Sequence, residues 1–176
     1  MGKQGVWILT AALAMAAGFT DWRWRRIPNW LTLPGLVLGV ALNSAATGWT
    51  GARDSLFGAA LGLALLLPFV LVRSLGAGDW KLVGALGACL GPYRLIVVLV
   101  GTLFLAGAMA VVLIVWKKRV RQTLRNLAGM LAALFLLRPP GPELSLDNPQ
   151  ALKVPFGVAV AVVVILYTVR QAWGVS

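Results

Sequence analysis

Two aspartates carry the chemistry that this sequence most directly suggests. Asp21 begins the segment DWRWRRIPN at residues 21–29, and Asp79 ends the tetrapeptide GAGD at residues 76–79. Each lies at the edge of a long apolar run, although a charged side chain costs about 2.5 to 3.5 kcal/mol at the centre of a bilayer. The chain has only 5 acidic residues among 176, so acids in these positions indicate a function. Two such acids facing each other would make an aspartyl protease.

Peptide hydrolysis by two carboxyl groups needs one carboxylate that takes a proton from water and one neutral acid that protonates the substrate carbonyl. Like charges about 3 Å apart produce this asymmetry, because the pair cannot easily lose both protons. Asp79 lies just before a predicted helix, where the helix dipole favours an anion. Asp21 lies at the end of a helix, where the dipole disfavours an anion, although the arginines that follow oppose this effect. On these positions we hypothesise that Asp79 is the base and Asp21 the acid.

Each of these residues also has a purely structural interpretation. Asp79 could cap its helix, and Asp21 could pair with Arg25 or Arg26, since caps and ion pairs are common in proteins. Lys81 either tunes a nearby carboxylate or extends to the lipid headgroups, and its place near a helix end slightly favours the headgroups. The structural interpretations are weaker for the two acids jointly than for either acid alone.

Composition assigns the chain to the integral membrane proteins. Hydrophobic residues make up 60% and charged residues only 12%, whereas soluble domains are about 45 to 50% apolar. The apolar runs are long and are separated by short polar breaks, which favours an all-α helical bundle. A transmembrane barrel is disfavoured, because apolar and polar residues do not alternate. We expect a single membrane domain over residues 1–176, with about six transmembrane helices and one short interfacial helix.

The apolar runs predict where those helices lie. The segment Asn126–Leu137 is short for a span and suits an interfacial or re-entrant helix. The fourth predicted span rises only about 20 Å against a hydrocarbon core of about 30 Å, which would leave Asp79 recessed into the membrane. The predicted spans are residues 5–20, 30–47, 55–75, 80–91, 94–116 and 153–171.

Positive charge predicts the orientation of the bundle. Basic residues cluster at residues 23–26 and 117–125, and the positive-inside rule places both loops in the cytoplasm. With the predicted spans, Asp21 and Asp79 then emerge on the same cytoplasmic side of the plasma membrane, and Asp54 lies on the opposite side.

The net charge of +11 does not indicate a nucleic-acid partner. The basic residues fall in the breaks between apolar runs, where they orient the protein and contact the headgroups of the lipid bilayer. A zinc site is disfavoured as well, because Cys89 is the single cysteine and the sequence has no histidine.

Three ordered motifs resemble those of the type IV prepilin peptidases. They are Asp21 with RRIPNWLT at residues 25–32, GAGDWKL at residues 76–82, and KVPFG at residues 153–157. The resemblance implies a polytopic aspartyl endopeptidase of the Gly-x-Gly-Asp class that cleaves the basic leader from pilin-like precursors at the cytoplasmic face. It implies no metal and no organic cofactor.

The resemblance also implies a set of site residues. Asp21 and Asp79 match the two catalytic aspartates of the family. The KVPFG element either contacts substrate or begins the final helix. The other candidates for the active-site loop or for substrate binding are Gly76, Gly78, Lys81, Arg26, Pro28, Asn29, Lys153 and Pro155.

The chain departs from the larger bacterial members of this family. It has neither the length nor the paired cysteines of their extra cytoplasmic region, so we expect no amino-methylating activity. It resembles instead the compact form found with tight-adherence pilus systems and the archaeal preflagellin peptidases.

Two other functions remain open at this point. The first is a catalytically silent membrane subunit of a pilus or secretion assembly. The second is a small transporter, since acids within a membrane also mark ion paths, although the sequence shows neither acids at the midplane nor repeated halves.

Overall fold

The computed structural model describes residues 2–71, 75–118 and 155–172, with isolated positions between 123 and 129. Every regular element in these ranges is a helix: α1 (Gly2–Trp24), α2 (Asn29–Thr47), α3 (Trp49–Leu71), α4 (Ala77–Trp116) and α5 (Phe156–Ala172).

These helices form a membrane bundle. The first four are long and apolar enough to cross a membrane, and α5 is a shorter apolar helix. The expected all-α membrane bundle is therefore confirmed, whereas the count of six spans and the single domain stay predictions. The interfacial helix predicted at 126–137 lies almost entirely outside the described residues.

The chain reverses direction within α4, at Gly91. The φ of Gly91 is 75° and its ψ is 172°, a conformation that glycine adopts without steric cost. A Cβ built on Gly62 of α3 would lie 2.9 Å from the Val83 carbonyl oxygen and 3.1 Å from Leu95 Cδ2. Since residues on both sides of the break lie beside the same turn of α3, the two halves of α4 run antiparallel. The helix boundary expected between residues 91 and 94 is confirmed.

Asn43 of α2 stabilises this reversal. Pro92 has no N–H, so the carbonyl of Ala88 loses the partner that a continuous helix would supply. The Asn43 side-chain amide donates to the carbonyl oxygens of Ala88 at 3.0 Å and Cys89 at 3.1 Å. One side chain therefore satisfies two carbonyls at the end of the first half of α4 and fixes α2 to the turning point.

The first half of α4 lies at the centre of the bundle. Residues 82–90 are all buried. A Cβ on Gly58 of α3 would overlap the Gly87 carbonyl of α4, and a Cβ on Gly87 would overlap the Gly58 carbonyl. Such close backbone contact through small residues is a main source of helix association in lipid. Asp79 is thus carried at the end of a tightly held central helix.

We expect Asn43→Leu to lower the free energy of unfolding by about 1 to 3 kcal/mol, because two buried carbonyls lose their donor. Tryptophan fluorescence during unfolding in detergent measures this loss, since the chain has 8 tryptophans. Ser44→Ala is the matched control: its hydroxyl bonds only to Val40 of its own helix, so its effect should stay within about 0.5 kcal/mol. Equal losses in the two variants would contradict the assigned role of Asn43.

Candidate active site

Asp21 lies in the last turn of α1 and is only 7% exposed. The helix ends three residues later, at Trp24, and Arg25 then adopts a positive φ of 53° and donates its N–H to the Asp21 carbonyl oxygen at 2.9 Å. A left-handed residue at this position is a common way to end a helix, although it is usually glycine. The chain therefore leaves the helix towards residues 26–28 while the Asp21 side chain stays inside the bundle.

The carboxylate of Asp21 binds the first turn of α5. The Gly157 N–H donates to Asp21 Oδ2 at 2.8 Å, and the Val158 N–H is a second donor to the same carboxylate. The first N–H groups of a helix have no partner within the helix and form the positive end of its dipole. Asp21 thus satisfies donors that would otherwise be unpaired in an apolar environment.

Two glycines allow this contact between α1 and α5. A Cβ on Gly157 would lie 2.9 Å from Asp21 Cβ and 3.0 Å from Asp21 Oδ2. On the facing helix, a Cβ on Gly18 would lie 2.6 Å from Ala161 Cβ. Within the KVPFG element, Phe156 therefore begins the final helix, and Gly157 brings that helix onto Asp21. We did not include Gly157 among the candidate site residues, although the Pro–Phe–Gly pattern at a helix start was a signal for it.

Asp79 lies in the first turn of α4, three residues after the extended residue Gly76 that precedes the helix. Its carboxylate accepts a hydrogen bond from the Gly76 N–H, which is the side-chain half of a capping box. The expectation that Asp79 precedes the helix and is its N-cap residue is therefore wrong, because Gly76 is the N-cap and Asp79 is the third residue of α4. The bond to Gly76 is not the only interaction of Asp79, because its carboxylate is also close enough to Asp21 for the two carboxyl groups to interact electrostatically.

The segment before Asp79 packs against the segment that follows Asp21. A Cβ on Gly78 would lie 3.0 Å from the Ile27 carbonyl oxygen and 3.2 Å from Ile27 Cβ. Ile27 is itself buried. The glycine at position 78 is thus needed for the close approach of two backbone segments, and this approach brings the two aspartate motifs together.

Lys81 has a partner that neither sequence interpretation named. Its Nζ donates to Asn29 Oδ1 at 3.0 Å. Asn29 is the first residue of α2, directly after the extended Pro28. The contact joins the start of α2 to the start of α4, one helical turn from the acid pair.

Trp80 fixes the same turn of α4 to α3. Its Nε1 donates to the Leu63 carbonyl oxygen at 2.7 Å. The indole therefore provides a hydrogen bond between two helices directly beside Asp79, a positioning role that the sequence did not show.

The structure gathers most of the predicted site residues at one end of the bundle. Arg26 and Asn29 are exposed there, and Pro155 precedes α5. Lys153 lies outside the described residues.

The opposite end of the bundle is chemically separate. Asp54 lies there, with its Cβ 3.9 Å from the Cβ position built on Gly91. A cavity of about 420 Å³ also opens at that end, between Trp7, Asp54 and Arg94. It is far from the acid pair and is not part of the candidate active site. Within the described residues, no three acidic or cysteine side chains gather in one place.

The fold and the site define a polytopic membrane protein with one buried and one half-buried acid at one end. Comparison with protein families matches residues 8–112 to the Type IV leader peptidase family. The match includes both aspartates and more than half of the 176 residues, and the chain belongs to this family. The resemblance seen in the motifs is confirmed, and the chain is a peptidase with a protein substrate in a membrane environment. Comparison with curated proteins and with solved structures gave no match.

We expect Gly157→Ala to destabilise the bundle by about 1 to 3 kcal/mol, because an added methyl group in a filled contact forces α5 away from Asp21. Thermal unfolding in detergent measures the effect. Gly107→Ala is the matched control, since nothing lies within 4 Å of the Cβ position at Gly107, and alanine there should leave stability unchanged or raise it by up to about 1 kcal/mol. A Gly157→Ala protein that unfolds like the wild type would contradict the packing described here.

We expect Lys81→Met and Asn29→Leu to be non-additive, with a coupling energy of about 0.5 to 1.5 kcal/mol, because each removes the same hydrogen bond. Unfolding of the two single variants and the double variant completes the cycle. Combining Lys81→Met with Ser44→Ala is the control, since these residues share no partner and should add within about 0.5 kcal/mol. Additive losses for Lys81 and Asn29 would show that the contact contributes nothing.

Proposed function

We propose that this protein is an aspartyl endopeptidase that removes the basic leader from type IV pilin-like precursors at the cytoplasmic face of the plasma membrane. Family membership supports the peptidase activity. The observation that supports the aspartic mechanism is the meeting of Asp21 and Asp79, from motifs 58 residues apart (79 − 21), at one end of the bundle.

The proposed reaction uses one carboxylate and one carboxylic acid. The carboxylate removes a proton from water as the water oxygen attacks the scissile carbonyl carbon, and the acid gives its proton to the carbonyl oxygen. The first group then gives its new proton to the leaving nitrogen as the C–N bond breaks. The second group recovers a proton from the tetrahedral intermediate, so that one water is consumed and both acids return to their starting state. No metal or organic cofactor takes part.

The position of the acids fits a substrate that stays in the membrane. Both acids lie at the ends of apolar helices and not at their centres. A precursor whose cleavage site directly precedes its own apolar helix could therefore keep that helix in lipid while the peptide bond reaches the acids. The cytoplasmic orientation of this end follows from the basic residues at 23–26 and the positive-inside rule.

We expect Asp21→Asn and Asp79→Asn each to reduce leader cleavage by at least about 100-fold, because each removes one partner in proton transfer. The assay is a gel shift of co-expressed pilin-like precursors, with the membrane level of each variant measured in parallel. Asp54→Asn is the control, since Asp54 is exposed at the opposite end of the bundle, and it should cleave like the wild type.

Cleavage that persists in either variant would overturn the two-acid mechanism. A wild-type protein that cleaves none of the precursors would favour the alternative, a silent subunit of a pilus or secretion assembly.

A further inference from the structure

We infer that the first turn of α5 holds Asp21 as the ionised carboxylate, so that Asp21 is the base of the pair and Asp79 is the acid. This assignment rests on the proposed aspartic mechanism and reverses the roles hypothesised from the positions of the two acids in the sequence. Gly157 becomes a positioning residue, because it brings the amide groups of α5 to the Asp21 carboxylate.

The first argument is the number of donors that face Asp21. Its carboxylate accepts the Gly157 N–H at 2.8 Å and also the Val158 N–H. Hydrogen bonds from N–H groups to a carboxylate are stronger than those to a neutral acid and therefore favour the charged form. The positive end of the α5 dipole acts in the same direction.

The second argument is that these donors offset the burial of Asp21. Burial by itself favours the neutral acid, because Asp21 with 7% of its surface exposed receives little stabilisation from water. A buried anion is sustained only where protein donors replace that water, and α5 supplies two N–H donors at this position.

Asp79 lies in the first turn of α4, whose dipole also favours an anion, but fewer backbone donors face it. Among the described contacts, its carboxylate accepts one backbone hydrogen bond, from the Gly76 N–H. The nearby Asp21 carboxyl group also acts on it electrostatically and disfavours a second negative charge. Two neighbouring carboxyl groups do not readily ionise together, so the group with fewer donors keeps the proton.

Of the other charged side chains named at this end of the bundle, one favours this order. Arg25 acts electrostatically on Asp21 and favours its anion. Lys81 is held by Asn29 at 3.0 Å. Within the described residues, the first turn of α5 contains no titratable side chain. The facing turn of α2 contributes Asn29, which does not titrate.

The roles then follow for each step of the reaction. The Asp21 carboxylate takes the proton from water, and Asp79 protonates the carbonyl oxygen of the substrate. Asp21 afterwards gives its proton to the leaving nitrogen, and Asp79 takes one back from the intermediate. Asp21 is the base, and α5 keeps it ionised. The substrate carbonyl oxygen accepts the proton of Asp79.

The experiment is a pH titration of the protein labelled with ¹³C at the aspartate side-chain carboxyl, followed by NMR in detergent micelles. The chain contains only four aspartates, at positions 21, 54, 79 and 147. Single Asp→Asn variants assign each resonance by its disappearance. The Asp54 resonance serves as the internal reference, because Asp54 is exposed at the opposite end of the bundle.

We expect the Asp79 resonance to move at a pH at least about one unit higher than the Asp21 resonance, a tenfold difference in proton affinity. In Gly157→Ala the Asp21 resonance should move towards higher pH while the Asp54 resonance stays unchanged. The comparison within the wild-type protein does not depend on the folding of that variant.

An Asp21 resonance that moves at the same pH as that of Asp79, or at a higher one, would overturn the assignment. Such a result with normal leader cleavage would leave the proposed function intact. The expected order in a protein that cleaves no precursor would remove the proposed function and keep only the charge assignment.

Discussion

The hydrogen bonds between the Asp21 carboxylate and the first turn of α5 are the constraint on which this structure depends. A charged group and unpaired amide groups are each costly in an apolar bundle. Here the Asp21 carboxylate and the amide groups of α5 satisfy each other, with 2.8 Å between Gly157 N and Asp21 Oδ2. The contact sets the register of α5 against α1 and explains why glycine occupies position 157. Packing and chemistry therefore share one interaction, and neither can be changed without the other.

The second acid is positioned in a different way. Asp79 is carried by the central helix of the bundle, whose backbone touches α3 at Gly58 and Gly87. The bond from Trp80 to Leu63 and the contact of Gly78 with Ile27 hold the same turn from two sides. Rigid neighbouring elements are what an acid pair needs, because its chemistry depends on small changes in distance and surroundings.

Much of the site was predictable from the sequence because its signals are local. Scarce acids at the ends of apolar runs, the Gly91–Pro92 break and the order of the three motifs can all be read from neighbouring residues. The contacts between helices could not be read in this way. Gly157 and Asp21 lie 136 residues apart, and the bond from Asn43 to Ala88 spans 45 residues. Hydropathy shows that a helix exists, but not which of its turns meets which turn of a neighbour.

The burial of residues 82–90 on every side also bears on how the first half of α4 is held in the membrane. Residues 77–90 form a helix about 21 Å long, which does not reach across a hydrocarbon core of about 30 Å. Residues 82–90 have no lipid-facing side, so the neighbouring helices take the place of lipid around them. The depth of Asp79 in the bilayer therefore depends on packing between helices and not on contact of this segment with lipid.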